Sequence, residues 1–103
     1  MQIPAGWQEY PVYRQGIKVG SIITKDSEIH CMRDESAKGK WLSRADLKNT
    51  ILPIIKQYGF ATTKVRLLNN IGHRFVTRIG FRPFGSDLKN IIYRIERLHH
   101  ARD

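Results

Sequence analysis

Cysteine occurs once in the 103 residues, at Cys31, so neither an internal disulfide nor a cysteine-built metal cage can form. That single thiol reads as a small buried hydrophobe rather than a nucleophile. Long apolar runs are missing as well. None approaches the length that crosses a bilayer, and the opening residues MQIPAGWQEYP contain no signal-peptide core. These absences set the expectation of a cytoplasmic chain with no membrane contact. Acid is scarce: 9 Asp and Glu stand against 18 Lys and Arg, a formal net charge of +9. Such a field attracts polyanions, whether nucleic acid, a nucleotide cofactor or an acidic partner, without choosing among them. No Ser-His-Asp arrangement and no histidine pair at metal-binding spacing stands out, and His99-His100 reads as tail. No metal is expected. The remaining composition, 41% apolar and 26% charged, is that of an ordinary globular protein, and the length suits one domain over 1–103 with one core.

What is present reads as strands first. Glu9–Arg14 is aromatic and β-branched, Gln15-Gly16 suits a hairpin turn, and Ile17–Thr24 follows. After a turn at Lys25-Asp26-Ser27 comes EIHCMR, in which Glu28, His30 and Met32 share one face and Ile29, Cys31 and Arg33 the other. Residues 34–40 are polar loop. A helix is predicted from Ser43, whose spacing to Asp46 resembles a capping box, with Leu47, Ile51, Ile54, Ile55 and Tyr58 inward, a bend at Pro53 and a stop at Gly59. Residues 60–68 alternate again as a strand. Asn69 or Asn70 caps a second helix carrying Ile71, Phe75, Val76 and Ile79 inward, and Gly80 ends it. Phe81–Phe84, a turn at Gly85-Ser86-Asp87, and Ile91–Ile95 complete the order β-β-β-α-β-α-β-β. Phe75, Ile79 and Phe81 are expected in the core. The fold class is α/β (α+β), a mixed, mostly antiparallel sheet flanked by helices.

A strand, a glycine-bearing polar loop and a helix form an anion-binding arrangement on physical grounds. The first N–H groups of a helix lack internal partners, and the dipole adds partial positive charge. Lys38, Lys40 and Arg44 surround that mouth. A loop of Lys and Gly is also common as plain solvated surface.

From Glu28 to Arg97 the chain resembles the acetyl-coenzyme A dependent N-acetyltransferase (GNAT) superfamily. The family's phosphate loop runs Arg/Gln-x-x-Gly-x-Gly/Ala. Here Lys38 stands at its first position, Gly39 and Lys40 follow, Trp41 stands at the central glycine, and Ser43 stands at the last small position. Downstream, NNIGHRFVTRIGFRPFG is similar to the family's Asn-helix-Gly-Phe segment. The GKW loop looks like that of short acetyltransferase-like proteins of bacteriophages. The resemblance implies a truncated GNAT-like domain lacking most of the usual N-terminal strand-helix-helix region. It also implies acetyl-coenzyme A as cofactor, held by Arg33, Lys38, Gly39, Lys40, Trp41, Leu42, Ser43, Arg44, Asn69, Asn70 and Phe75. The pyrophosphate would lie against the Lys38–Ser43 backbone with the Trp41 ring turned away. Val76 occupies the position where the family often carries a tyrosine acid.

The chemistry implied is attack of an amine on a thioester, which needs a base and a group to polarise the carbonyl. Glu28 or His30 could be that base; a solvent-facing strand residue is an equal reading for each. Trp7, Tyr10 and Tyr13 could line a site, although strand aromatics are usually core. Two classes stand open. One is an N-acyltransferase acting on an amine of a small molecule or protein, its acceptor site open or completed by a second copy in a homodimer. The other is a non-catalytic phage protein of the same fold, in the host cytoplasm, whose basic surface holds nucleic acid without sequence preference or an acidic host protein.

Overall fold

The computed structural model of the chain describes residues 3–34 and 41–97. Eight elements follow in the expected order: β1 (Gln8–Arg14), β2 (Ile17–Lys25), β3 (Glu28–Arg33), α1 (Arg44–Tyr58), β4 (Ala61–Arg66), α2 (Asn70–Ile79), β5 (Arg82–Ser86) and β6 (Asn90–Ile95). Local chemistry explains most of the boundaries. Gln15 and Gly16 both take positive φ, 53° and 79°, as a type I′ hairpin turn requires. Ser43 Oγ accepts from Asp46 N–H at 3.1 Å while the Asp46 carboxylate accepts from Ser43 N–H at 3.0 Å, a complete capping box. The helix runs on through Pro53 and ends at Gly59, whose φ is 88°. Asn69, rather than Asn70, caps α2 by accepting from Gly72 N–H at 2.9 Å.

The six strands lie in the order β1-β2-β3-β4-β6-β5. Every neighbouring pair is antiparallel except β3 and β4. Both edge strands are irregular: β1 contains Pro11 and shifts register at Val12/Tyr13, and β5 contains Pro83 and shifts between Pro83 and Gly85. Both helices cover the same face of the sheet. Leu47, Ile51 and Ile54 of α1 and Val76 of α2 join Val12, Ile22, Ile29, Ala61, Val65, Tyr93 and Ile95 in one buried cluster. The other face, carrying Glu9, Ser21, Glu28, His30, Lys64 and Arg94 by strand alternation, has no helix over it among the described residues.

Several expectations need correction. Ile71 is 77% exposed, because α2 is turned so that Gly72 meets Val65, which rotates its neighbour to solvent. Tyr58 is 40% exposed; the sheet covers only the 47, 51, 54 stripe of α1. Phe81 is core, yet it precedes β5, and the turn falls at 87–89 instead of 85–87. The Asp87 carboxylate accepts from Lys89 and Asn90 N–H at 2.8 and 2.9 Å, and this local turn outcompetes the glycine. Tyr10 and Tyr13 are exposed rather than core.

Candidate functional site

The parallel pair β3–β4 is where the sheet opens. Its two strands are in register at one position, Glu28↔Thr62, where Thr62 N–H donates to the Ser27 carbonyl at 2.8 Å. Beyond it they part. Asp34 N–H donates to Val19 and Leu67 N–H to Lys89, each at 3.0 Å. Alternation along a ladder then turns the N–H groups of Cys31 and Arg33 on β3, and of Lys64 and Arg66 on β4, into the gap. The helices α1 and α2 follow β3 and β4 in the chain; α2 begins soon after β4, while the start of α1 reaches Arg14 at the end of β1 through Asp46. Ligands of open α/β sheets bind at such points, beyond the carboxyl ends of parallel strands.

The helix mouths are partly occupied by the chain itself. The capping box consumes two N–H groups of α1, and Asp46 adds a carboxylate there, paired with Arg14 at 2.6 Å. Partial burial opposes the Asp46 charge, but hydrogen bonds from Arg14 and Ser43 outweigh it and hold the carboxyl below its ordinary value. Arg44 is exposed on the first turn, Arg33 is exposed at the end of β3, and Leu42 and Phe75 pack partly buried against the core. Asn69 spends its side chain on the α2 cap, and Asn70 is exposed beside it. Lys38, Gly39 and Lys40 lie outside the described residues. Trp41 packs on the sheet over Gly20, where an added Cβ would come within 2.4 Å of the ring.

Glu28 and His30 project from β3 on the face without helices, beside the closed end of the gap. His30 Nε2 lies 2.7 Å from Glu28 Oε2, and the Trp7 ring sits 5.3 Å from the imidazole. Both side chains are about a third exposed, 31% for Glu28 and 29% for His30, so a substrate can reach them. Val76 is buried in the core and offers no acid. Cys31 is exposed, against expectation, since no β4 neighbour flanks it past the parting point. Desolvation pushes its thiol up to about 12; the exposed surface argues for a smaller rise, and a neutral thiol at pH 7 follows either way.

Three features escaped the sequence reading. Gly20 was signalled only as a glycine inside a strand. Glu9 binds both Lys18, at 2.8 Å, and the buried Ser21 hydroxyl, across the β1–β2 hairpin. His73 Nδ1 meets the buried Tyr93 hydroxyl at 2.7 Å, with its Nε2 3.1 Å from the Leu67 carbonyl; nothing in the order of residues links them. A cleft of about 280 Å³, lined by Gln8, Tyr10, Thr24, Asn49 and Tyr58 among others, opens on the helix side of the sheet, away from Glu28 and His30. Among the described residues no cluster of metal-ligating side chains occurs, and no helix is long and apolar enough to cross a membrane.

Among solved structures, the chain is similar to the PaiA N-acetyltransferase of Thermoplasma acidophilum, crystallised in complex with coenzyme A. The TM-score is 0.73 at 14% identity over 89% of this chain. This chain spans 62% of the length of that protein. No protein-family model matches the chain, and no curated protein matches its sequence. The likeness establishes the fold as GNAT-like, a six-stranded mixed sheet with two helices, in agreement with the expected class.

Proposed function

We propose that the chain binds coenzyme A in the gap between β3 and β4 and transfers the acetyl group of acetyl-coenzyme A to an amine. The gap itself carries this reading. Two strand edges with unmatched N–H groups face one another and open toward the end of the sheet at which α2 begins. An extended arm containing amides can bond to such edges as an added strand does, and a diphosphate suits the wide end, where Arg33 closes β3, with Lys38 and Lys40 proposed from the sequence alone as its further partners. The coenzyme A bound by the similar PaiA enzyme is consistent with that fit.

Bound acetyl-coenzyme A would supply a thioester: the amine nitrogen would bond to its carbonyl carbon, the carbon–sulfur bond would break, and coenzyme A would leave as the thiolate and take up a proton. His30 takes the amine proton at Nδ1, the nitrogen that Glu28 leaves free. Glu28 fixes the ring through Nε2, and Trp7 braces it. The Cys31 N–H, one residue along β3, is placed to polarise the carbonyl. The reading further places the chain in a cytoplasm, with bacteriophage origin and a second copy completing the acceptor site as finer expectations.

Calorimetry with coenzyme A, alongside an acetyl-transfer assay on a panel of amines, tests it. His30→Ala is expected to lower kcat about 10²- to 10⁴-fold with coenzyme A affinity unchanged. Joint replacement of Lys38 and Lys40 by Ala should weaken binding about tenfold or more. No heat at millimolar coenzyme A would sink the proposal. Buried Val76 favours a second reading, a binder without turnover; heat without transfer on any amine would select it.

A further inference from the structure

The helix-free face of β4, β6 and β5 carries chemistry that acetyl transfer does not use. Arg94, on β6, lies between two phenyl rings, 4.1 Å from the Phe60 centroid and 4.9 Å from that of Phe84. Phe84 is nevertheless 64% exposed, so a large part of that ring meets water at a cost in apolar exposure. The Arg94 Nε is buried with no hydrogen-bond partner, while its Nη2 pairs with Glu96 at 3.3 Å. Around this stack stand Lys64 and Arg66 on β4 and Arg82 on β5, all exposed. None of the three is in an ion pair among the described residues. Arg82 sits directly across the ladder from Arg94, and Lys64 from Ile92. The acidic groups near this patch are Glu96, already paired, and Asp87, whose carboxylate accepts from its own turn and is further lowered by Lys64.

We infer that this face is a binding surface for single-stranded nucleic acid. Its cations neutralise phosphates, and the open ring of Phe84, stiffened from beneath by Arg94, stacks an unpaired base. Charge alone would accept any polyanion. The exposed aromatic makes the difference, because a duplex keeps its bases stacked inside, and neither a run of carboxylates nor a sulfated sugar carries a flat ring to lay on it. Phosphate contact plus sequence-tolerant stacking is the general recipe for single-strand binding. The surface shares β4 with the gap between β3 and β4, but Phe84 and Arg82, on which its test turns, lie on β5, so the proposal stands whether or not the chain binds coenzyme A.

Fluorescence anisotropy of the full chain with a labelled 12-residue oligo-dT, the matching duplex and heparin as competitor tests it. The single strand is expected to bind at least tenfold tighter than the duplex. The slope of log K against log salt should be about −2 to −3, for three or four neutralised phosphates. Phe84→Ala should weaken single-strand binding about tenfold and leave duplex binding and the salt slope unchanged. Arg82→Ala should flatten the slope. Both residues are exposed, so melting temperatures close to that of the unsubstituted protein are expected and are measured as a control. Equal affinity for single strand, duplex and heparin would overturn the proposal in favour of undirected charge attraction. Phe84→Ala binding like the unsubstituted protein, or no binding at low salt, would overturn it outright.

Discussion

Trp41 and Gly20 show how much one contact across a loop can decide. The sequence places a tryptophan just ahead of α1, and the fold answers with a glycine on β2 where most strands carry a side chain. Gly20→Ala is expected to destabilise by about 1–3 kcal/mol through overpacking, measured by chemical unfolding. Its Cβ would meet the Met32 carbonyl at 2.5 Å as well as the ring, so adding Trp41→Ala should rescue the loss only in part. Trp41→Gly by itself should cost about 2 kcal/mol, less than a fully buried tryptophan because the ring is only half-covered. Its effect on ligand affinity must therefore be read on folded protein. This pairing was not legible beforehand: Gly20 and Trp41 are far apart in sequence, and a strand glycine signals a close approach without saying of what. Glu28 and His30 were legible as neighbours on one face, because strand periodicity alone puts them there.

At the scale of elements, the helix ends and the β1–β2 hairpin announce themselves, whereas the β5–β6 turn falls past the glycine expected to make it. Ser43→Ala should cost about 1 kcal/mol, and Gly59→Ala roughly 1–2 kcal/mol because φ 88° is strained for any side chain. Thermal melts check both. The Asp46 carboxyl is held low, so its contribution to α1 is present above its unfolded value and is lost as pH falls through the folded one. Arg14→Ala should narrow that acid margin while changing neutral stability by at most about 1 kcal/mol, as befits a partly exposed pair. Element order was readable since these signals are local. The parting of β3 and β4 was not, because parallel pairing links segments separated by a whole helix and leaves no pattern in either strand. Hydrogen exchange gives it a direct test. The amides of Cys31, Arg33, Lys64 and Arg66 should exchange fast in the free chain and become protected when coenzyme A is added; unchanged exchange would remove the gap from the binding site.

For the whole molecule, charge and sidedness matter most. Glu9, through bonds from Lys18 and Ser21, and Asp87, through the Lys89 and Asn90 amides, join Asp46 below their ordinary values. Stability should hold down to about pH 4 and fall beneath it as these groups protonate and positive charge climbs above +9. Added salt should shift the acid midpoint to lower pH. Lys18, raised by its bond to Glu9, contributes below its unfolded value of about 10.4 and is lost as pH rises through the higher folded one. Circular dichroism across pH 2–12 checks both limbs. The irregular margins of the sheet have a consequence for company. A proline and a register shift in β1, and again in β5, spoil the templates on which stray strands ordinarily nucleate. Fibril growth by edge-to-edge stacking is thereby discouraged at both flanks. The remaining unpaired strand edges among the described residues are interior, where β3 and β4 part. The sheet thus offers an extended guest its backbone at the centre and withholds it at the rims.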